Sequence, residues 1–158
     1  MKMSVKRGSK GVYGKRARAL SRALDRLGRE GARDGEAHAR RSLAANVYST
    51  APGNRYRRTG HLLSQIYSAG HGNATSLGIL LGDQATYASE VEYGTGPYEL
   101  SPAQLEAYLV ALPPGSVLSF GRSGLAYMLP GPYIGPGLRF AQFKTHERLR
   151  ALLQQLWS

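Results

Sequence analysis

The sequence contains no cysteine among its 158 residues. This absence excludes a disulfide framework, a thiolate nucleophile and a cysteine-based zinc site. No run of about 18 apolar residues occurs, so no membrane-spanning helix is expected. The basic N-terminus also lacks the apolar stretch of a secretory signal. With 42% hydrophobic and 20% charged residues, the composition is that of a folded protein, and the length predicts a single domain over residues 12–158.

Acidic residues are scarce, since 10 stand against 21 lysines and arginines and the formal net charge is +11. Residues 1–60 hold 16 basic and 4 acidic residues, a net +12. Residues 61–158 hold 5 basic and 6 acidic residues, a net −1. The whole excess therefore lies in the first 60 residues, where it indicates a polyanionic partner or serves solubility alone.

The N-terminal third predicts a mobile basic arm over residues 1–11 and then helix. Leu20, Leu24 and Leu27 repeat at helical spacing, and the helical pattern runs from Val12 to about Tyr48. Three glycines inside it each disfavour a helix by about 1 kcal/mol relative to alanine: Gly28, Gly31 and Gly35. The pattern leaves open one helix that depends on packing or two helices, followed by a stop and turn at 51–54.

The remainder predicts strands, a lobe and a last helix. Residues 62–69 and 77–81 are candidate strands around a turn at 70–74, and residues 86–95 fit either a strand or a short helical turn. The excursion 97–130 predicts a helix capped by Ser101 and a hairpin at 117–129, and a final helix is expected from Pro136. The predicted class is α+β: the N-terminal and C-terminal helices pack on a small, mostly antiparallel sheet with an inserted helix–hairpin lobe.

Few residues offer catalytic chemistry. The four histidines do not have metal-ligand spacing: His38, His61, His71 and His146. Glu90 and Glu92 would share a face of a strand, where they could bind a cation, act as an acid–base pair, or simply form a solvated edge. The glycines at 94 and 96 lack the lysine of a phosphate-binding loop. No enzymatic activity, cofactor or metal is expected.

Three short sequence motifs follow one another along the chain. Ala51-Pro52 precedes Thr59-Gly60-His61-Leu62, with Ser64 and Ile66 following; Tyr87-Ala88 precedes Val91-Glu92-Tyr93-Gly94-Thr95; and Pro132-Tyr133-Ile134-Gly135-Pro136 comes last. Together they resemble the head–tail joining and tail-completion family of long-tailed phages over about residues 37–157. The excursion 97–130 is longer than the family pattern, Tyr133 replaces its phenylalanine, and Pro136-Gly137 replaces its Pro-Ala.

The resemblance implies a structural virion protein of the phage neck, assembled in the host cytoplasm, with no enzymatic activity. It would form a homo-oligomeric ring and contact head-connector and tail proteins, with no membrane partner. The family-motif residues, expected to maintain the fold or contact a neighbour, are Pro52, Thr59, Gly60, Leu62, Tyr87, Ala88, Glu92, Gly94, Thr95, Pro132, Tyr133 and Pro136.

The basic residues of the first 60 are candidate contacts to packaged DNA or to an acidic partner: Lys6, Arg7, Lys10, Lys15, Arg16, Arg22, Arg26, Arg55, Arg57 and Arg58. Phosphate neutralisation by such residues gives salt-sensitive, sequence-independent affinity. A free nucleic-acid-binding protein is therefore the alternative function, although no base-reading motif accompanies the charge. An enzyme built on His61, Glu90 and Glu92 is a third hypothesis and would need a pocket that joins them.

Overall fold

The computed structural model describes residues 11–49, 59–120 and 129–157. The elements in chain order are α1 (Val12–Leu43) with a π-helical turn (Ala44–Tyr48), α2 (His61–Gln65), β1 (Ile66–Gly72), β2 (Leu77–Asp83), α3 (Ala88–Tyr93), a 3-10 turn (Gly96–Tyr98), α4 (Pro102–Ala111) and α5 (Ile134–Trp157). The two long helices pack on a two-stranded antiparallel sheet, so the α+β class is confirmed.

Helix α1 is one uninterrupted helix of 32 residues, about 48 Å long at 1.5 Å per residue. Gly28 and Gly35 lie where the backbones of other elements approach the helix closely. A Cβ on Gly28 would lie 2.6 Å from the carbonyl oxygen of His71 in β1, and one on Gly35 would lie 3.1 Å from the carbonyl oxygen of Gly137 in α5. The glycines thus allow close packing and do not end the helix. Of the two alternatives from the sequence, the structure shows the single helix that depends on packing.

The sheet pairs β1 with β2 from Ile66↔Asp83 to Gly72↔Leu77. The strand expected at 62–69 is partly wrong, because residues 61–65 form helix α2. Gly60 takes a left-handed conformation (φ 73°), and its carbonyl accepts the N–H of Ser64 at 3.1 Å, which starts a helical turn before the strand. The turn lies at 73–76 instead of 70–74, and the Asn73 side chain accepts backbone N–H groups there.

The core lies between α1, the sheet and the start of α5. Its buried residues are Ala39, Leu43, Leu62, Ile66, Leu81, Ala85, Val91 and Tyr133. Residues 88–93 are helical, so the helical alternative for 86–95 is confirmed, with Val91 buried in this core. Helix α5 runs antiparallel to α1. His38 of α1 stacks on Phe140 of α5. One turn earlier on α1, Asp34 pairs with Arg148, which lies two turns later on α5.

The lobe contains α4, which Ser101 caps as the sequence predicts. The Ser101 hydroxyl accepts the N–H of Gln104 at 3.2 Å, and the Gln104 side chain accepts the N–H of Ser101 at 2.8 Å. Residues 117–120 form no strand, and the rest of the expected hairpin, 121–128, lies outside the described residues. The basic arm at 1–10 and the loop at 50–58 also lie outside them. Helix α5 begins at Ile134, two residues before the expected start at Pro136.

Candidate functional site

The second and third family-motif pieces meet at the buried carboxylate of Glu92. One of its oxygens accepts the N–H groups of Tyr133 and Ile134 at 2.8 and 3.0 Å, and the other accepts the N–H of Gly135 at 2.8 Å. These N–H groups belong to the start of α5, where helical N–H groups have no partner within the helix. Glu92 therefore caps α5 from a different element, and its negative charge suits the positive end of the helix dipole.

Burial and hydrogen bonding act on the pKa of Glu92 in opposite directions. Its residue is only 5% exposed, and burial raises the pKa of this carboxyl above its usual range. The backbone hydrogen bonds from Tyr133, Gly135 and Ile134 act in the opposite direction without cancelling that effect. Both oxygens are engaged by protein donors, so this carboxylate is not available to a substrate.

Two backbone hydrogen bonds near the C-terminus of α3 fix the position of Glu92. At its C-terminus Gly94 has φ 80°, and its N–H donates to the carbonyl of Glu90 at 2.9 Å. The N–H of Gly131 donates to the carbonyl of Val91 at 2.8 Å, which brings the chain into α5 alongside α3. The glycine after Tyr93 in the motif is thus required by its backbone conformation.

Tyr133 joins this junction to the sheet. Its side chain is fully buried, and its hydroxyl donates to Asp83 Oδ2 at 2.8 Å at the end of β2. The other Asp83 oxygen accepts the N–H of Ala85 at 2.8 Å. Burial, followed by the hydrogen bond to Asp83, raises the pKa of the Tyr133 hydroxyl far above its usual range. The tyrosine that replaces the family's phenylalanine therefore has its own polar partner.

Several of the other family-motif residues lie in or against the hydrophobic core. Leu62 is buried in the shared core, and Tyr87 and Ala88 pack against it. Pro132 and Pro136 are buried at the start of α5, and Thr95 is half-buried. Gly60 begins α2, and the Thr59 hydroxyl accepts the N–H of His61 at 3.4 Å. Pro52 lies outside the described residues.

The proposed strand face for Glu90 and Glu92 is wrong, because both residues lie in helix α3. Residues two apart on a helix point about 200° apart. Accordingly Glu90 is exposed, whereas Glu92 is buried. His61 is exposed at the start of α2, with its ring 6.3 Å from that of Tyr87. Among the described residues, no group of three metal-ligating side chains occurs.

The basic candidates fall into two sets. Lys15, Arg16, Arg22 and Arg26 lie exposed on α1. The others lie outside the described residues: Lys6, Arg7, Lys10, Arg55, Arg57 and Arg58. The structure thus places four of the ten candidates on a single helix.

Exposed bases of α1 follow one another at intervals of three or four residues on the side away from the core. We call this set the basic row: Lys15, Arg18, Arg22, Arg26, Arg29 and Arg33. The acids of α1 neutralise part of it, since Asp25 pairs with Arg29 at 2.6 Å and Glu30 lies 3.9 Å from Arg26. Within the described parts of the chain, no acid lies within ion-pair distance of Lys15, Arg16 or Arg22.

Sequence reasoning missed a polar row on the buried side of α1. His38, Ser42 and Asn46 repeat every four residues, and the first and last hold the lobe segment that follows α4. His38 Nε2 lies 3.3 Å from the carbonyl oxygen of Ser116, and the Asn46 amide donates to the carbonyls of Leu118 and Pro132 at 2.8 and 2.9 Å. The signal was the polar i, i+4, i+8 spacing within an apolar stripe.

Burial lowers the pKa of His38, which stacks on Phe140 with ring centroids 4.8 Å apart. The Ser116 contact acts in the opposite direction, and the nearby charge of Arg41 lowers the pKa further. His38 is therefore a neutral core histidine that holds the lobe segment, and not a surface group.

Comparisons with family models, curated proteins and solved structures found no match to this chain. In the parts that the structure describes, no helix combines the length and the apolar character needed to cross a membrane.

Proposed function

We propose that this chain is a ring-forming structural protein of the phage neck, a tail-completion or head–tail joining adaptor between the connector and the tail tube. The observation that carries the proposal is the Glu92 junction. Motif pieces separated by about 40 residues meet there through three hydrogen bonds to one carboxylate. The second and third motif pieces therefore form one structural unit, which supports reading them as parts of a single motif.

The chemistry of this unit supports a structural role. Glu92, Asp83 and Tyr133 are the polar groups at its centre, and each has partners within the chain. Polar groups whose hydrogen bonds are satisfied within the chain position helices against a sheet and do not turn over a substrate. The function then lies in the outer surfaces, which suits an adaptor that contacts copies of itself, head-connector and tail proteins in the virion.

The experiment is genetic and structural. An amber mutation in the gene, in the genome that encodes it, is expected to give DNA-filled heads and separate tails in electron micrographs. Supplying the wild-type chain is expected to restore joined particles, and a tagged chain is expected at the neck in labelled virions. Normal joined particles without the chain would contradict the proposal.

A second candidate function is nucleic-acid binding, and the basic row favours it. Six exposed bases spread over 18 residues span about 27 Å, enough to follow a phosphate backbone. The isolated chain would then bind duplex DNA with an affinity that falls steeply with salt. A Lys15→Glu, Arg22→Glu variant would lose that binding, and a flat isotherm at low salt would remove this candidate.

A further inference from the structure

The chain carries opposite charges in two separate regions of its surface. Residues 83–130 contain five acids and a single base, Arg122. Two of the acids, Asp83 and Glu92, are bound within the fold. Of the remaining three, Glu90 is exposed on α3, and two are exposed in the lobe, after the 3-10 turn and on α4. We call these two the acidic lobe face: Glu99 and Glu106.

The opposite charge lies on the first three turns of α1. Lys15, Arg16 and Arg22 are exposed there, and no acid precedes Asp25 in the whole sequence. We call these three residues the basic end. The acids farther along α1 are engaged by other bases, since Asp34 pairs with Arg148 and Glu36 with Arg40, at 2.6 and 2.8 Å.

The two charged regions cannot neutralise each other within one molecule. His38 and Asn46 hold the lobe against the far end of α1. The nearer of these two anchors, His38, is 16 residues from Arg22, about 24 Å along the helix. This distance is several times the Debye length of about 8 Å at physiological salt. Any pairing between the two regions must therefore involve a second molecule.

The acidic lobe face also has apolar neighbours of the kind found at protein contacts. Tyr98 precedes Glu99 and is 57% exposed, and Val110, one turn after Glu106 on α4, is 56% exposed. Tyrosine is enriched in protein–protein interfaces because it combines a large apolar area with a polar tip. Exposed carboxylates beside such side chains suit a basic protein surface and would repel nucleic acid.

We infer that two copies of this chain associate head to tail, with the basic end of one seated on the acidic lobe face of the next. The inference rests on the proposed function for its biological setting. It adds to that function by naming the two faces that would close the ring. A contact between two different patches is heterologous, so it closes into a ring when the rotation allows. DNA on the basic end would leave the acidic face without a partner, which is why we favour a second copy.

The test is a charge exchange measured by sedimentation of the full chain. One variant carries Lys15→Glu and Arg22→Glu, and the other carries Glu99→Lys and Glu106→Lys. Each is expected to associate at least about tenfold more weakly than the wild type at low salt, because attractive pairs become repulsive. An equimolar mixture is expected to regain association, since each variant then offers the other a complementary face.

Matched controls keep the outcome clear. Arg33→Glu with Arg41→Glu makes the same change in net charge on the same helix and is expected to associate like the wild type. All substituted residues are exposed, and circular dichroism checks that each variant folds. Because the chain has no cysteine, Arg22→Cys and Glu106→Cys chains provide a second measurement, in which their mixture is expected to form a disulfide-linked dimer.

Three results would overturn the inference. They are a wild type that stays monomeric at high concentration and low salt, variants that associate like the wild type, and a mixture that does not recover. Binding of a duplex DNA probe that depends on Lys15 and Arg22, without self-association, would assign the basic end to nucleic acid instead. The proposed neck function is tested separately from this inference. Absence of the chain from the particle neck would contradict that function, whatever the sedimentation result.

Discussion

Removing the carboxylate of Glu92 is expected to destabilise the fold strongly. The Glu92→Ala variant would leave the N–H groups of Tyr133, Ile134 and Gly135 without their acceptor, where hydrogen bonds of 2.8, 3.0 and 2.8 Å now exist. An unsatisfied buried donor costs roughly 1–3 kcal/mol. Water can enter the vacated space and offset part of the sum, so we expect the free energy of unfolding to fall by about 3–5 kcal/mol.

A graded series separates the cap from general effects of substitution. Glu92→Gln retains one oxygen, which can accept the two N–H groups of Tyr133 and Ile134, but it turns an NH₂ group toward the N–H of Gly135. We expect it to lose about 1–3 kcal/mol, less than Glu92→Ala. Glu90→Ala, two residues earlier on the same helix and exposed, is the matched control and is expected to change stability by less than about 0.5 kcal/mol.

The assay is urea unfolding followed by far-ultraviolet circular dichroism, with the free energy obtained by linear extrapolation. The slope with denaturant should stay constant across the series, because the same surface is exposed on unfolding. If Glu92→Ala and Glu90→Ala were equally stable, Glu92 would not cap α5 and the reasoning from the junction would be refuted.

Three further changes test other contacts. Tyr133→Phe removes the hydroxyl that donates to Asp83 at 2.8 Å, and is expected to lower the free energy of unfolding by about 1–2 kcal/mol. In His38→Gln the amide can still reach the carbonyl of Ser116 but does not titrate. Because the pKa of His38 is lowered from 6.5, the unfolded chain binds more protons between the lowered value and 6.5. Wild-type stability should therefore fall as pH falls through that window, and the variant's should fall less. Gly28→Ala places a Cβ 2.6 Å from a β1 carbonyl oxygen and is expected to destabilise by about 1–3 kcal/mol, although alanine favours helix.

The same unfolding assay checks each of these changes. Tyr67→Phe, at an exposed tyrosine on β1, is the control for Tyr133→Phe and is expected to leave stability within about 0.5 kcal/mol of the wild type. Identical pH profiles for His38→Gln and the wild type would contradict a neutral, buried His38. A Gly28→Ala variant as stable as the wild type would show that β1 does not depend on a glycine at this contact.

Periodicity predicted the large elements because each of them buries one regular face. The α1 stripe, the β2 alternation and the Ser101 cap all report local interactions, which a sequence displays directly. The start of α5 is different. Its cap comes from Glu92, 42 residues before Ile134, so no local pattern could place the first turn ahead of Pro136.

The glycines of α1 show why intrinsic propensity was not enough to decide between one helix and two. Alone, each glycine disfavours the helix by about 1 kcal/mol. In the fold, Gly28 and Gly35 allow β1 and α5 to approach the helix backbone, and the apolar area buried by that approach offsets the loss. The partner backbones are distant in sequence, so the sign of the effect depends on tertiary structure.

The net charge of a segment does not show where its unpaired charged side chains lie in the fold. The sequence showed a net +12 in residues 1–60, but it could not show which bases are neutralised inside the fold. Arg40 bridges Glu36 and the carbonyls of Leu63 and Ile66, so it holds the α2–β1 corner and contributes little to an external field. The acids of α1 are likewise engaged by nearby bases. Among the residues that the structure describes, what remains is a basic end with no acid at ion-pair distance and an acidic lobe whose nearer anchor, His38, lies about 24 Å along α1 from Arg22. For that reason we expect the distribution of charge over the surface, and not the net charge, to decide which partner the chain binds.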